Sequence, residues 1–356
     1  MRKYQLVFLL TLFAAAATAQ VPVDDMETSQ QPVVDNPLQE QAIINPIVDN
    51  PVQLEITEWP VPWKNSRPRD PDIAPNGLIW LVGQGGDYAA SFDPGSKEFS
   101  RKKLPPGTGP HNLIVDRDGS LWIAGNRQAF IGRMNAVTGE LSRFTMPDET
   151  ARDPHTLVFS GNNEIWFTMQ WSNYVGRLNK RSGEVDLVPM QTEQARPYGI
   201  KMDSKGHPWV ALLGTNALAT IDPETLTSKT IYLPRSEARL RRLAITSGDI
   251  IWYTDYSQGY LGRYDPKSGE FTEWKTPSEQ AGPYAMAADN LGRIWFVETW
   301  PQPNLLVGFD PLFGTFFSVT PIPSGGGTVR HMVYDPVRNS LWFGTDTNNL
   351  AQAVLP

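Results

Sequence analysis

The 356-residue chain contains no cysteine. This absence excludes disulfide bonds and a lipid anchor on an N-terminal cysteine, so core burial has to supply the stability. After the N-terminus, no apolar run approaches the ~18 residues that a membrane helix needs. Histidine is also rare, with four residues, and a histidine that breaks the sequence pattern is therefore a candidate for chemistry.

The sequence also lacks a basic stripe and a helical pattern of apolar residues. The formal net charge is -7, which argues against a nucleic-acid partner, because such partners select positively charged surfaces. The 29 glycines and 31 prolines favour short strands joined by turns. Composition therefore predicts an all-β protein.

The N-terminus resembles an export signal. Arg2 and Lys3 precede an apolar run from residue 6 to residue 17, and Ala17-Thr18-Ala19 forms a small-x-small cleavage site. We expect a signal peptide at residues 1–19, and a mature protein that is periplasmic or secreted and has no membrane span. A retained N-terminal anchor is the alternative.

Residues 20–53 are rich in acidic residues, proline and glutamine and contain neither basic nor aromatic residues. This composition predicts a disordered spacer, with a specific docking peptide as the alternative. The remaining residues, 54–356, form the predicted folded domain.

Seven tryptophans recur in that domain at intervals of 42 to 47 residues. A period of this length indicates one supersecondary unit repeated seven times. Each unit contains four short apolar segments separated by Asp, Gly and Pro turns, which is typical of a propeller blade. The tryptophans, which we expect to pack between blades, are Trp80, Trp122, Trp166, Trp209, Trp252, Trp295 and Trp342.

The last repeat ends at Pro356 after only three strands, whereas residues 56–62 repeat the pattern of a fourth strand at residues 271–277. We therefore predict a seven-bladed β-propeller with four antiparallel strands per blade, in which residues 54–62 complete the last blade. Such closure leaves no open sheet edge.

One column of the repeat carries titratable side chains. The position eleven residues before each tryptophan is polar in all seven blades and should lie at the start of the innermost strand, so these residues should ring one mouth of the central channel. The column reads Arg69, His111, His155, Tyr198, Arg241, Tyr284 and His331.

Other polar and aromatic residues should reach the same face, because they follow the tryptophan strand back to it. Trp171, Trp300 and Glu298 lie there, and Asp153 lies two residues before His155. With Arg69, Tyr198, Arg241 and Tyr284 they are candidate ligand contacts, in which Arg69 and Arg241 would hold an anionic group.

Two imidazoles and a carboxylate are a plausible metal or acid–base group. We expect His111, Asp153 and His155 as candidate ligands of a divalent metal, Mg²⁺ or another. His155, His331 and His111 are candidate catalytic residues, the first two as general bases. The alternative is a polar channel wall that binds only water.

The repeat phrase resembles that of the virginiamycin B (streptogramin) lyase family. Its best copies are Pro154-His155-Thr156-Leu157, Ile165-Trp166-Phe167-Thr168 and Asn173-Tyr174-Val175-Gly176-Arg177, and the resemblance covers residues 54–356. It implies a seven-bladed propeller that opens a cyclic antibiotic ester by elimination, with Mg²⁺ and a histidine base.

The family's catalytic positions are only partly filled. A histidine in blade six, a Glu-x-His in blade seven and a later glutamate correspond to Tyr284, Val329, His331 and Thr345, so only His331 matches. A rotation of the blades would match His111, Asp153 and His155 instead, with Asp in place of Glu.

Two classes of function stay open. One is an exported, monomeric carbon–oxygen lyase that acts on an ester, lactone or sugar-like ligand. The other is a non-catalytic propeller that binds a small molecule, a glycan or a protein. A gluconolactonase-like hydrolase is disfavoured because the propellers of that family have six blades.

Overall fold

The structure is a computed structural model that describes residues 47–161 and 163–356. The predicted signal peptide and most of the predicted spacer lie outside these residues. The described chain is almost entirely β-structure, and its helical content is one 3-10 helix, Asn126–Gln128. None of these residues belongs to a helix long and apolar enough to cross a membrane.

The strands follow one another in groups of four after two initial strands. The first fifteen are β1 (Ile47–Val52), β2 (Ile56–Pro60), β3 (Pro68–Ile73), β4 (Ile79–Gly83), β5 (Tyr88–Asp93), β6 (Glu98–Lys103), β7 (Pro110–Val115), β8 (Leu121–Gly125), β9 (Phe130–Met134), β10 (Leu141–Thr145), β11 (Pro154–Ser160), β12 (Glu164–Met169), β13 (Tyr174–Asn179), β14 (Val185–Pro189) and β15 (Pro197–Met202). The others are β16 (Pro208–Leu212), β17 (Ala217–Ile221), β18 (Ser228–Tyr232), β19 (Leu240–Thr246), β20 (Ile250–Asp255), β21 (Tyr260–Asp265), β22 (Glu270–Lys275), β23 (Pro283–Ala288), β24 (Ile294–Glu298), β25 (Leu305–Asp310), β26 (Thr315–Pro321), β27 (Met332–Asp335), β28 (Ser340–Gly344) and β29 (Asn349–Val354).

Seven sheets are arranged as blades around a channel. Blade one is β3–β6 and the next five follow in order, each an antiparallel meander. The first strand of every blade contacts the first strand of the next, and β27 contacts β3, so the innermost strands close a ring. The predicted seven-bladed propeller is confirmed.

Blade seven is completed from the N-terminal side of the chain. β2 pairs antiparallel with β29, from Ile56 opposite Ala353 to Pro60 opposite Asn349. Trp59 of β2 stacks on Trp342 with ring centroids 5.7 Å apart. The strand predicted within residues 54–62 therefore closes the ring as expected.

β1 differs from the sequence prediction. It lies within the segment predicted as a spacer, yet it forms a fifth, parallel strand on β26 at the outer edge of blade six. The Ser318 hydroxyl donates to the Val52 carbonyl at 2.8 Å, and the Leu54 amide donates to the Thr320 hydroxyl at 2.9 Å. The spacer prediction consequently does not hold for residues 47–52.

The apolar core lies between the blades. Each of seven buried clusters joins two neighbouring blades, and each repeat tryptophan is at most 5% exposed. The glycine of the Gly-Arg phrase leaves room for the aromatic residue that follows the tryptophan, because a Cβ at Gly176 would lie 2.1 Å from the Phe167 ring. A buried tryptophan removes about 150–250 Å² from water, so the repeat residues are structural, as predicted.

Candidate functional site

The polar column lies where the innermost strands begin. In the first six blades the pairing of the first two strands shifts register at this point, as between Pro110 and Leu113 or between Pro154 and Leu157. A β-bulge of this kind re-aims side chains that a regular strand would alternate between its faces. Two consecutive residues per blade can therefore contact the channel.

Aromatic rings form a row from blade two to blade six. The His111 and His155 ring centroids are 3.6 Å apart, and those of His155 and Tyr198 are 4.2 Å apart. The Tyr198 and Tyr284 hydroxyls form a short hydrogen bond, with ring centroids 6.1 Å apart. His111 and His155, two of the three predicted metal ligands, are therefore in direct ring-to-ring contact.

The row continues into two loops. The Tyr256 ring lies 5.5 Å from that of Tyr284 and 5.3 Å from that of Trp300, and the Trp300 indole donates to the Tyr256 hydroxyl at 2.9 Å. Trp300 is 41% exposed, whereas Tyr198 and Tyr284 are 4% and 6% exposed. The row thus connects the exposed rim to the buried channel wall.

Arg241 lies among the tyrosines. Its guanidinium carbon is 4.3 Å from the Tyr256 ring centroid, 5.3 Å from that of Tyr284 and 5.8 Å from that of Tyr198. Its Nε makes no hydrogen bond, and no ion pair involves Arg241 within residues 47–161 and 163–356. A cation held by ring faces and lacking a carboxylate partner is suited to an incoming anion.

A second polar layer crosses the channel beside this row. Arg242 lies 3.4 Å from the Asp70 carboxylate, donates to the Thr156 hydroxyl at 2.8 Å and donates to the Arg330 carbonyl at 2.9 Å. Asn112 donates to Asp70 at 2.9 Å. One arginine of blade five therefore links blades one, three and seven.

Burial and positive charge control the ionisation of the histidines. Burial lowers the pKa of His331 to about 3, although Asp70 opposes the shift. Burial, aided by Arg242 and Arg69, also holds the pKa of His155 well below its usual value, and the pKa of His111 is lowered by burial and Arg69. All three imidazoles are therefore neutral at pH 7.

Asp70 is the negative charge of this layer. Burial raises the pKa of its carboxyl, but His331, Arg242 and Arg69 outweigh burial and lower the pKa to about 2. Asp70 is consequently ionised at neutral pH. Its Oδ1 accepts no hydrogen bond from any described residue, and Arg69 Nε lies 3.9 Å from it.

Two predicted site residues hold loops instead of facing the channel. Asp153 accepts from the Trp171 amide at 2.7 Å and from the Ser172 hydroxyl at 2.6 Å. Glu298 accepts from the amide of Ser278 at 3.1 Å and also from its hydroxyl. Asp153 immediately precedes β11 and Glu298 is the last residue of β24, so each carboxylate lies beside a loop whose amides donate to it. Neither carboxylate is part of the aromatic row.

The donor set does not fit Mg²⁺. Hard cations prefer several oxygen ligands, but the Asp153 oxygens are bonded to the loop and His111 and His155 stack ring to ring. The nearby Arg69 and Arg242 also disfavour a second cation there. Within the described ranges, no three His, Cys, Asp or Glu side chains form a metal-binding group.

The other predicted residues lie either in the channel wall or at its exposed rim. Arg69 is buried and donates to Gln84 at 2.9 Å, while its Nε and Nη2 have no hydrogen-bond partner in the described part of the chain. Trp171 is 64% exposed, with the Arg196 guanidinium 4.5 Å from its ring centroid. His331 immediately precedes β27, and its Nδ1 makes no hydrogen bond within residues 47–161 and 163–356.

Sequence reasoning missed the second layer and one member of the aromatic row. The second layer occupies the position immediately after the polar column, which a strict two-residue alternation assigns to the opposite face. A polar residue there in four of the seven blades was the available signal. The missed residues are Asp70, Asn112, Thr156 and Arg242 of the second layer and Tyr256 of the aromatic row. Arg330, which immediately precedes His331 of the polar column, was also missed.

Comparison with known proteins gives one family. The model of the virginiamycin B lyase family matches residues 47–221 and 184–352. No curated protein matches the sequence.

Solved structures show the same fold. Virginiamycin B lyase from Staphylococcus aureus has a TM-score of 0.78 at 20% identity, covering 85% of this chain and 100% of that one. A catalytically inactive variant of that enzyme with quinupristin gives the same values. Hydrazine synthase from Kuenenia stuttgartiensis reaches 0.68 at 11% identity, covering 82% and 96%. At these identities the similarity establishes only the fold.

Proposed function

This chain belongs to the virginiamycin B lyase family, and we propose that it is a carbon–oxygen lyase that binds an anionic ester, lactone or sugar-like molecule at the channel mouth. The observation that carries the proposal is Arg241, a cation on three aromatic rings that has no carboxylate partner among the residues the structure describes. An anion paired with it would be partly desolvated and would interact strongly.

The charge around the row supports an anionic ligand. Asp70 is shared by Arg69 and Arg242, and Asp346 lies 2.5 Å from Arg330. The three arginines already outnumber these two carboxylates, and Arg241 adds a further positive charge. The excess positive charge would attract a negatively charged molecule and repel a cationic one.

The aromatic row supports a flat or ring-shaped ligand. Tyr256 and Trp300 form a continuous surface from the rim toward Tyr284. The neutral imidazole of His155, which belongs to the row, can donate or accept a hydrogen bond. Together these groups suit the binding of a ring that carries one acidic group.

An assay for an elimination product tests this proposal. A cleaved C–O bond beside a new C=C bond gives a conjugated product, which ultraviolet absorbance detects without a coupled assay. We would incubate the protein with quinupristin and separately with polygalacturonate, an acidic sugar polymer, using galactan as the neutral counterpart. We expect alkene formation with polygalacturonate, whether or not quinupristin reacts, and none with galactan.

The matched variants are Arg241→Met and Arg143→Met. Arg143 also packs on an aromatic ring, 4.6 Å from the Phe130 centroid, but it belongs to the outer strand of blade two. Arg241→Met should reduce turnover at least tenfold, and Arg143→Met should not. No alkene from either substrate would contradict the proposal.

A non-catalytic binding propeller is the second candidate. The exposed Trp171, with Arg196 over its ring, supports it, because exposed aromatic and arginine residues are enriched where proteins bind partners. Under this alternative, polygalacturonate binds without any alkene product, and Trp171→Ala weakens binding more than Arg241→Met does.

We also propose that the protein is exported. Arg2, Lys3 and the apolar run that ends at Ala17 support cleavage after Ala19. N-terminal sequencing of protein recovered from the periplasm or medium should begin at Gln20. Recovery of the intact N-terminus only from the cytoplasm would contradict export.

A further inference from the structure

We propose that the Tyr284 hydroxyl takes the proton from carbon in the elimination reaction, with the Tyr198 hydroxyl as its hydrogen-bond donor. This inference rests on the proposed lyase function and assigns it a proton acceptor and a class of substrate. It makes Tyr284 a catalytic residue and Tyr198 a positioning residue.

The geometry of the pair is the first argument. Tyr198 belongs to β15 of blade four and Tyr284 to β23 of blade six, and their hydroxyls meet over blade five. Both rings are almost fully buried in a small cluster with Leu213 and Tyr256. Two phenols that share a hydrogen bond in such a site allow one oxygen to carry negative charge while the other donates to it.

The charges around the pair favour that division. Burial raises the pKa of Tyr284, but four arginines outweigh burial and bring the pKa below its usual value. Burial and the neighbouring Tyr284 raise the pKa of Tyr198, which keeps it a donor. The charged and titratable groups that face Tyr284 are Arg241, Arg330, Arg69, Arg242, Tyr198 and Tyr256.

The histidines are poorer proton acceptors in this environment. The same arginines that favour a phenolate disfavour an imidazolium, and the pKa of His331 is about 3. His155 and His111 are shifted in the same direction. An acceptor that becomes neutral when it gains a proton, as a phenolate does, fits a cluster of cations better than one that becomes charged.

The reaction balances with Tyr284 alone. The phenolate oxygen takes a proton from the substrate carbon, and the electrons of that C–H bond form the C=C bond. The C–O bond at the next carbon breaks, and its electrons leave with the oxygen. That oxygen then takes the proton from Tyr284, which returns to the phenolate.

Arg241 indicates the class of substrate. Removal of a proton from carbon requires a neighbouring group that accepts the developing negative charge. A carboxylate on the same carbon, paired with Arg241 beside Tyr284, would have its charge stabilised in this way. The substrate class is therefore a molecule with a carboxylate on the carbon that loses the proton and an oxygen leaving group on the next carbon, as in a uronate within a glycan.

Two measurements on the full-length protein test the inference. In ultraviolet difference spectra of the free protein, wild type minus Tyr284→Phe should show a phenolate step below pH 10, the usual tyrosine value. With polygalacturonate, Tyr284→Phe should reduce kcat at least 100-fold, the scale of general base catalysis, with little change in KM. Tyr284→His should not recover that loss, because the arginines around position 284 disfavour an imidazolium.

Tyr264→Phe is the control, because Tyr264 is also buried but packs on Trp209 and Phe271 between blades four and five. It should leave both readouts unchanged. A kcat for Tyr284→Phe within threefold of wild type would overturn the inference while the lyase function stands. Absence of the low phenolate step would overturn it whether or not the protein is a lyase.

Discussion

Single side chains of the channel wall hold blades together across the axis. Arg242 makes contacts to blades one, three and seven from blade five, and its carboxylate partner Asp70 is 2% exposed. Both charges have left water, so each depends on the other to offset its desolvation. The wall is consequently sensitive to changes that remove only one of them.

Arg242→Met should destabilise the protein by about 3–5 kcal/mol, because it leaves Asp70 buried with less positive charge around it. Adding Asp70→Asn should restore part of that loss, since an uncharged amide costs less to bury. Urea unfolding of the single and double variants measures both effects. Strictly additive losses would show that the two charges do not interact.

His331 should make stability depend on pH. Its folded pKa is about 3, below the usual value near 6.5, so the unfolded chain binds the extra proton first as the pH falls. Stability from this group is present above pH 6.5 and declines toward pH 3. Between pH 7 and pH 5, wild type should lose about 1–2 kcal/mol more than His331→Asn.

Urea unfolding of both proteins at the two pH values isolates the contribution of His331 to stability. Asp72 and Asp153, whose pKa values are raised to about 6, titrate in both proteins and therefore cancel in the comparison. These two carboxyls change the free energy of unfolding in the opposite direction. As the pH falls, the folded state binds their protons first, which increases stability. Parallel pH dependences of the two proteins would contradict the role given to His331.

At the scale of the strand, β2 and β1 have different roles: β2 closes the propeller, and β1 is an additional edge strand. β2 supplies the outer strand of blade seven, whereas β1 adds an extra strand outside blade six. Loss of β2 uncovers the edge of β29 and the Trp342 ring, but loss of β1 leaves every four-stranded blade intact.

A chain that begins at residue 54 should therefore lower Tm by only a few degrees, while one that begins at residue 62 should fail to fold cooperatively. Circular dichroism melts compare them. A cooperative melt of the shorter chain near the wild-type temperature would show that β2 is not required for closure.

The sequence predicts strands well and the bulges within them poorly. Tryptophan spacing locates Trp166 and its equivalents because interblade packing repeats in every blade. The bulge between residues 69 and 72, where Asp70 has φ 44°, follows from no local residue pattern. Since the bulge turns Asp70 toward the channel, the second polar layer could not be derived from strand alternation.

The sequence also did not predict the role of the loop carboxylates, for a related reason. Asp153 has the chemistry of a metal ligand, yet the amides of Trp171 and Ser172 donate hydrogen bonds to both its oxygens. A residue type at a strand end is compatible with either role. Only the backbone around it decides between them.

At the scale of the whole molecule, the propeller brings side chains from all seven blades to one small mouth. Ring closure places residues far apart in sequence, such as Asp70 and Arg242, in contact. The fold thus concentrates positive charge at the mouth although the chain as a whole has a net charge of -7. An acidic protein with a basic channel mouth can select an acidic ligand there.

The most direct test of the account is the binding of galacturonate against galactose, two rings that differ by one carboxylate. Calorimetry should show galacturonate bound at least tenfold more tightly by wild type and by Arg143→Met, with the preference lost in Arg241→Met. Equal binding of the two sugars, no binding of galacturonate, or a preference that survives Arg241→Met would contradict the assignment of the channel mouth as an anion site.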